Sequence, residues 1–122
     1  MPADPTSLAG EDFCYLTTVG RVTGKPHEIE IWFALADDTL YMLSGGRDRS
    51  DWVKNLRRNP KVTVRIAGER FEGRARVVED PEEDALARRR LVEKYERTPD
   101  SLANWRRTAL PVAVDLATSA RP

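Results

Sequence analysis

The sequence predicts an α+β domain of about six antiparallel strands and two or three helices, with the sheet closing into a barrel. Three observations predict it. Several short runs alternate apolar and polar residues with a period of two. Most neighbouring runs are joined by turns too short for a parallel crossover. Two stretches carry helix-start signals instead. One sheet face is then buried and the other wet, and closure removes exposed edges.

The elements follow in order. Residues 13–19 form the first strand, which stops at Gly20. Residues 27–36 form the second: Ile29, Ile31, Phe33 and Leu35 alternate with Glu28, Glu30, Trp32 and Ala34. Asp37 and Asp38 make a turn, and residues 39–44 form the third strand. A loop covers 44–50. A helix over 51–58 follows, with Ser50 as N-cap, Asp51 in its first turn, and Trp52, Val53 and Leu56 on one face. Asn59-Pro60 ends it, because proline disfavours helical geometry in the residue before it. Val62, Val64 and Ile66 mark the next strand; Gly68-Glu69 turns the chain; Phe71, Gly73, Ala75 and Val77 mark another. Asp80 caps a second helix with Pro81 at its first position, running to about Arg97 with Ala87, Leu91 and Tyr95 on one stripe. Asp100 to Arg107 reads as a third, weaker helix, and Pro111 to Leu116 as the last strand. Residues 1–122 read as one domain, flexible at about 1–10 and 118–122.

Composition removes several functions. The 20 basic and 20 acidic side chains cancel, so a nucleic-acid-binding face is not expected, and Arg88-Arg89-Arg90 reads as a solvated helix face. No apolar run approaches a membrane span, and the start of the chain lacks a leader pattern, which predicts a cytoplasmic protein. The single cysteine, Cys14, fits a reducing compartment and reads as a small buried thiol. The single histidine, His27, stands beside Pro26 at a strand start, so the usual zinc spacings are absent and no metal is expected. Neither a Gly-x-Ser-x-Gly elbow nor a Gly-x-x-x-x-Gly-Lys-Ser/Thr loop occurs. An enzyme built on this chain therefore takes its reactive group from a cofactor, with the protein supplying position and electrostatics.

The most informative stretch is Thr17-Thr18-Val19-Gly20-Arg21-Val22-Thr23-Gly24, followed by Lys25-Pro26. It is a hairpin tip with two glycines and two cations. Two readings stand open: a tight turn with solvated basic residues, or a concave anion site of backbone N–H groups. Trp32 is the main break in the alternation. It wants a partner, which is a second subunit, a helix packed over the barrel, or a flat ligand.

These residues carry a family resemblance. The stretch 17–24 resembles the Thr-Thr-x-Gly-Arg-x-[Ser/Thr]-Gly signature of the deazaflavin (F420)-dependent nitroreductase / F420H2-dependent quinone reductase family. Ser44-Gly45-Gly46, then Asp51-Trp52-Val53-Lys54-Asn55-Leu56 and Asn59-Pro60-Lys61-Val62, are similar to its Trp-x-x-Asn-Leu-x-x-Asn-Pro segment. Tyr95, Trp105-Arg106-Arg107 and the strand after Pro111 follow in register, so the resemblance covers about residues 13–116.

The resemblance implies a split β-barrel, similar to flavin-binding pyridoxamine-phosphate oxidases and usually a homodimer. It implies coenzyme F420, whose reduced form gives a hydride to a quinone, a nitro compound or an activated alkene. Carried over, Arg21, Thr23, Gly24 and Lys25 become phosphate contacts, and Arg47 and Arg49 extend the positive field along the tail. Trp32 and Phe33 match an aromatic pair in the second strand. Ser44 and Gly45 match a loop near the ring, Trp52 and Asn55 match the following helix, and Ser44 and Tyr95 are the candidates beside the acceptor. The same barrel using FMN, and a member that binds a ligand without catalysis, are the alternatives. The chain also departs from the family pattern: Val22 replaces a frequent lysine, Ile29-Glu30 replaces the Asn-Pro of nitro-reducing members, and Tyr95 stands without the further tyrosines. A different acceptor pocket follows.

Overall fold

The computed structural model describes residues 8–98 and 101–117. The expected flexible ends, apart from residues 8–10, lie outside the described residues, as does the expected helix start at Asp100. The elements are β1 (Cys14–Val19), β2 (Pro26–Ile31), β3 (Ala34–Ala36), β4 (Thr39–Ser44), α1 (Asp51–Arg58), β5 (Lys61–Ile66), β6 (Glu69–Val77), α2 (Pro81–Tyr95), α3 (Ala103–Thr108) and β7 (Leu110–Leu116). The strands form one antiparallel sheet in the order β2-β1-β5-β6-β7-β4-β3, curled into a half-barrel. No helix among the described residues is long and apolar enough to cross a membrane.

Seven strands stand where six are expected, because the second is broken at Trp32-Phe33. The cause lies far along the chain. The Tyr95 hydroxyl accepts the Phe33 N–H at 3.0 Å, and the Phe33 carbonyl receives Lys94 Nζ at 3.0 Å. Both backbone groups of Phe33 are thus satisfied by side chains of α2, not by a strand partner. The remaining shifts are smaller. α2 ends at Tyr95, two residues before Arg97, and α3 begins at Ala103. The β5–β6 hairpin turns on Ala67 and Gly68, both at positive φ (51° and 84°), the two-residue geometry that matches strand twist.

The core has two layers. Inside the curl, Leu16, Phe33, Leu40, Met42, Val64, Ile66, Val112 and Val114 pack with Val53 and Leu56 of α1. On the other face of β4 and β7, Tyr41, Leu43 and Ala113 pack against Ala87, Leu91 and Tyr95 of α2. Strand β4 is therefore buried on both sides, and each fully buried aliphatic side chain contributes about 1.5–3 kcal/mol. Asp80 caps α2, accepting the Glu83 N–H at 2.9 Å behind Pro81. Arg88 does not merely face water: it bonds Asp84 and the Arg106 carbonyl, tying α2 to α3.

A polar network closes the outer layer. Arg76 on β6 makes paired bonds to Glu83 (2.7 and 2.8 Å) and to Asp115 (2.8 and 3.1 Å), and the Tyr41 hydroxyl donates to Glu83 at 2.7 Å. The Arg76 guanidinium holds the Glu83 carboxyl below its ordinary value. A depressed carboxyl stabilises the fold above its unfolded value near 4.5, and that contribution is lost as pH falls through the folded value. Glu83→Gln is therefore expected to cost about 1 kcal/mol at neutral pH, discounted for the network's partial exposure. Urea midpoints of the two proteins should converge as pH falls below about 4. A difference that persists at pH 3 would assign the loss to packing, not charge.

Candidate functional site

The tip of the β1–β2 hairpin is built by its own backbone. The Gly20 N–H donates to the Lys25 carbonyl at 2.8 Å, and the Gly24 N–H to the Gly20 carbonyl at 2.9 Å. Gly24 sits at φ 76°, where a side chain is strained. Thr23 Oγ1 accepts the Lys25 N–H at 3.2 Å. Gly20 lies beneath the His27 imidazole: a Cβ there would stand 2.6 Å from Nε2 and 3.1 Å from the Lys25 carbonyl. The Val22 and Thr23 N–H groups make no bond to protein among the described residues.

The hairpin tip does not stand alone. Asn55 of α1, 4 % exposed, accepts both the Arg21 backbone N–H (3.2 Å) and its Nη1 (2.8 Å) on Oδ1. Its Nδ2 donates to Thr18 Oγ1 at 3.2 Å. Arg21 Nη2 reaches Asp51 Oδ1 at 3.1 Å, and Nη1 reaches the Asp51 carbonyl at 3.4 Å. Asp51 and Asn55 are one helical turn apart, so α1 presents both to the hairpin.

A cavity of about 440 Å³ opens between the hairpin and α1. Its walls are Thr18, Gly20, Arg21, Val22, Thr23, His27, Glu28, Ile29, Asp51, Trp52 and Asn55. A second hollow against the same turn adds Gly24, Arg58 and Asn59. A third cavity, of about 540 Å³, lies further along β2 and is aromatic: Phe13, Ile31, Trp32, Leu43, Leu102 and Trp105, with Glu30. Trp32, 41 % exposed, stacks flat on Tyr95 (ring centroids 4.3 Å apart, 1° between planes) and meets Trp105 edge-on at 5.7 Å. Of its open alternatives, the structure shows a helix partner.

The expected site residues therefore separate into groups. Arg21, Thr23, Trp52 and Asn55 meet at the first cavity, and Gly24 and Lys25 belong to the same turn. Arg47 and Arg49 occupy a short 3-10 turn before α1 and line neither hollow beside the turn. Arg47, at φ 54°, bonds the Thr108 carbonyl. Gly45 is exposed on that loop. Phe33 is fully buried, so its ring is core and not a ligand wall. Ser44 is 2 % exposed and spends its hydroxyl on the Arg47 carbonyl and on Ser50 Oγ, both at 2.9 Å. That pairing also removes Ser50 as a side-chain cap of α1. Tyr95 is buried, with its hydroxyl 2.6 Å from the Asp12 carbonyl and 3.0 Å from that of Phe33; burial pushes its phenol up to about 12. Neither Ser44 nor Tyr95 is free to donate to an acceptor.

Sequence reasoning missed Arg58, and it did not assign Thr18, His27 or Asp51 to a site. The i,i+4 spacing of Asp51 and Asn55 was the available signal. The two glutamates of β2 part company: Glu28 lines the turn cavity and pairs with Arg65 at 3.1 Å, whereas Glu30 lines the aromatic one and accepts the Tyr15 hydroxyl at 3.2 Å. Among the described residues no group of three His, Cys, Asp or Glu side chains is placed to hold a metal ion.

The donor set suits an oxyanion with a flat apolar body. Arg21, the Val22 and Thr23 N–H groups and the nearby Arg58 supply positive character, and Trp52 and Ile29 supply a wall. Asp51 and Glu28 already carry cationic partners, which lessens their repulsion.

Solved structures share this architecture. An F420 reductase superposes with a TM-score of 0.68 at 19% identity, covering 97% of each chain. A candidate pyridoxamine 5′-phosphate oxidase from Listeria innocua gives 0.70 at 20% identity, covering 93% of this chain and 90% of its own. An FAD-binding protein from Mesorhizobium loti gives 0.64 at 18% identity, covering 94% and 88%. At such identities these likenesses show the fold, a split β-barrel. Residues 4–117 match the model of the F420H(2)-dependent quinone reductase family, and the chain belongs to that family of oxidoreductases.

Proposed function

We propose that the chain binds the reduced deazaflavin F420 and passes a hydride to an electron-poor acceptor, a quinone, nitro compound or activated alkene. The observation that carries this reading is the turn at 20–25, where Arg21 and the N–H groups of Val22 and Thr23, unbonded among the described residues, stand beside a cavity walled by Trp52. When bound, the cofactor supplies the hydride; the chain supplies binding and orientation. Arg21, Thr23, Gly24 and Lys25 hold the phosphate end, with Arg58 in place of Arg47 and Arg49 as the neighbouring cation. The family match supports F420 over FMN. The aromatic cavity around Trp32 and Trp105 supports an acceptor site for a flat, apolar molecule, reached along β2. A strand rises about 3.3 Å per residue, so the turn and Trp32 are roughly 20 Å apart, a span suited to an extended ligand. The homodimer reading is supported by the single-partner edge strand β2 and by exposed Phe13 and Trp32 nearby; sedimentation at micromolar concentration tests it.

Titrating the protein with F420 and with FMN, followed by tryptophan fluorescence, tests the cofactor. Micromolar F420 affinity without FMN binding supports the proposal. Dissociation constants above about 100 μM for both, near −5.5 kcal/mol, overturn it. Arg21→Ala is expected to weaken F420 binding by about 1.5–3 kcal/mol through loss of a charge-assisted contact. The bonds to Asn55 revise the reading of Arg21 as a solvated turn residue: the same change should also loosen the hairpin, seen as a lower melting temperature.

A further inference from the structure

We propose that Asn55 is a positioning residue: with Asp51 it fixes the Arg21 guanidinium so that its Nε–Nη2 edge stays open as a two-donor fork for a tetrahedral oxyanion. The identity of that oxyanion, the cofactor's phosphate, rests on the reading above; the geometry does not.

A guanidinium has five N–H groups in a rigid plane. Both on Nη1 are used, one on Asn55 Oδ1 at 2.8 Å and one on the Asp51 carbonyl at 3.4 Å. One on Nη2 goes to Asp51 Oδ1 at 3.1 Å. Two remain without a partner among the described residues, the Nε–H and the second Nη2–H. Because Asp51 takes a bond from each Nη, we infer that it meets the guanidinium end-on, which leaves the Nε–H and the other Nη2–H side by side, the pair that matches two oxygens of a phosphate or carboxylate. Arg21 lines the cavity and keeps 32 % of its side chain exposed, so the side chain is open to a ligand.

The two anchors differ in strength. The Asp51 side chain is 84 % exposed, and water competes for it. Asn55 is buried, and both ends of its amide are engaged: Oδ1 by the Arg21 backbone and side chain, Nδ2 by Thr18. Three bonds to one buried amide make Asn55 the part that sets the angle. An arginine held before the ligand arrives has less rotamer freedom to lose on binding. Asn55 acts through Arg21 and needs no contact with the ligand.

A double-mutant cycle tests this with F420 as probe. Asn55→Ala is expected to weaken binding about tenfold in the natural background and less than about twofold in Arg21→Ala, where nothing is left to position. Equal factors in both backgrounds, or unchanged affinity, overturn the proposal. Should Asn55→Ala fail to fold, Thr18→Val, which removes only the bond to Nδ2, carries the same cycle with a change of about threefold. A second arm follows the Arg21 Nε–H resonance by NMR with millimolar inorganic phosphate. It is expected to shift in the natural protein and much less in Asn55→Ala. A shift with phosphate but no F420 binding removes the cofactor reading and keeps the fork. A resonance that answers neither ligand overturns the fork.

Discussion

Tyr95→Phe is expected to destabilise the protein by about 2–3 kcal/mol, although it removes one oxygen atom. That oxygen accepts the Phe33 N–H and lies within bonding distance of the Asp12 and Phe33 carbonyls. Without it a buried donor is left unpaired at the break between β2 and β3, and an unmade buried bond costs more than a made one contributes. Tyr95→Ala should cost about 4 kcal/mol, because the ring also supports Trp32 at 4.3 Å. Urea unfolding measures both, and Trp32 emission should redden in the alanine variant alone. The pH dependence has a definite sign. The folded phenol titrates near 12, above its ordinary value of 10, so its contribution is whole below pH 10 and is lost as pH rises towards 12. A Phe variant as stable as the parent would mean that water replaces the hydroxyl.

The second large effect belongs to Gly73. Strand β6 hands over there: residues 69–74 pair with β5, and residues 73–77 pair with β7. A Cβ at Gly73 would stand 2.6 Å from Val114 Cγ1 and 2.9 Å from the Asp115 carbonyl. Val114 is fully buried and the carbonyl is backbone, so neither yields cheaply. Gly73→Ala is expected to cost about 2–3 kcal/mol by overpacking. The melting temperature should fall by about 6–12 °C. F420 affinity should hardly change, since Gly73 lines neither hollow beside the turn. An unaltered melting temperature would show that β6 and β7 part at no cost.

Much of this architecture was legible in the residues, and the reason is locality. Asp80-Pro81 announces α2, Asn59-Pro60 ends α1, and period-two alternation marks the strands, because each signal acts within a few positions. The interrupted second strand was not legible. Trp32 marks a place that wants a partner but does not announce a chain break, and the residues that claim the Phe33 backbone, Lys94 and Tyr95, lie 61 and 62 positions on. The site divides in the same way. The glycine and arginine turn could be read directly, but the partners of Arg21 lie 30 and 34 positions away on α1. Ser44 and Tyr95 read as candidates beside an acceptor because hydroxyl-bearing residues in a matching segment look available until their own bonds are counted.

The pairing of β1 has a dynamic consequence. Its ladder to β5 covers Tyr15 to Thr17, while its ladder to β2 continues to Val19. Residues 18–25 therefore overhang the sheet as a cantilever, and α1 is their lateral brace through Thr18 and Arg21. Amide protons of Gly20 and Gly24 should exchange with deuterium in step with undocking of that brace, and faster than those of β5. Stiffness at the overhang is then set by how firmly a helix leans on it, and a ligand seated there would register as slower deuterium uptake along α1.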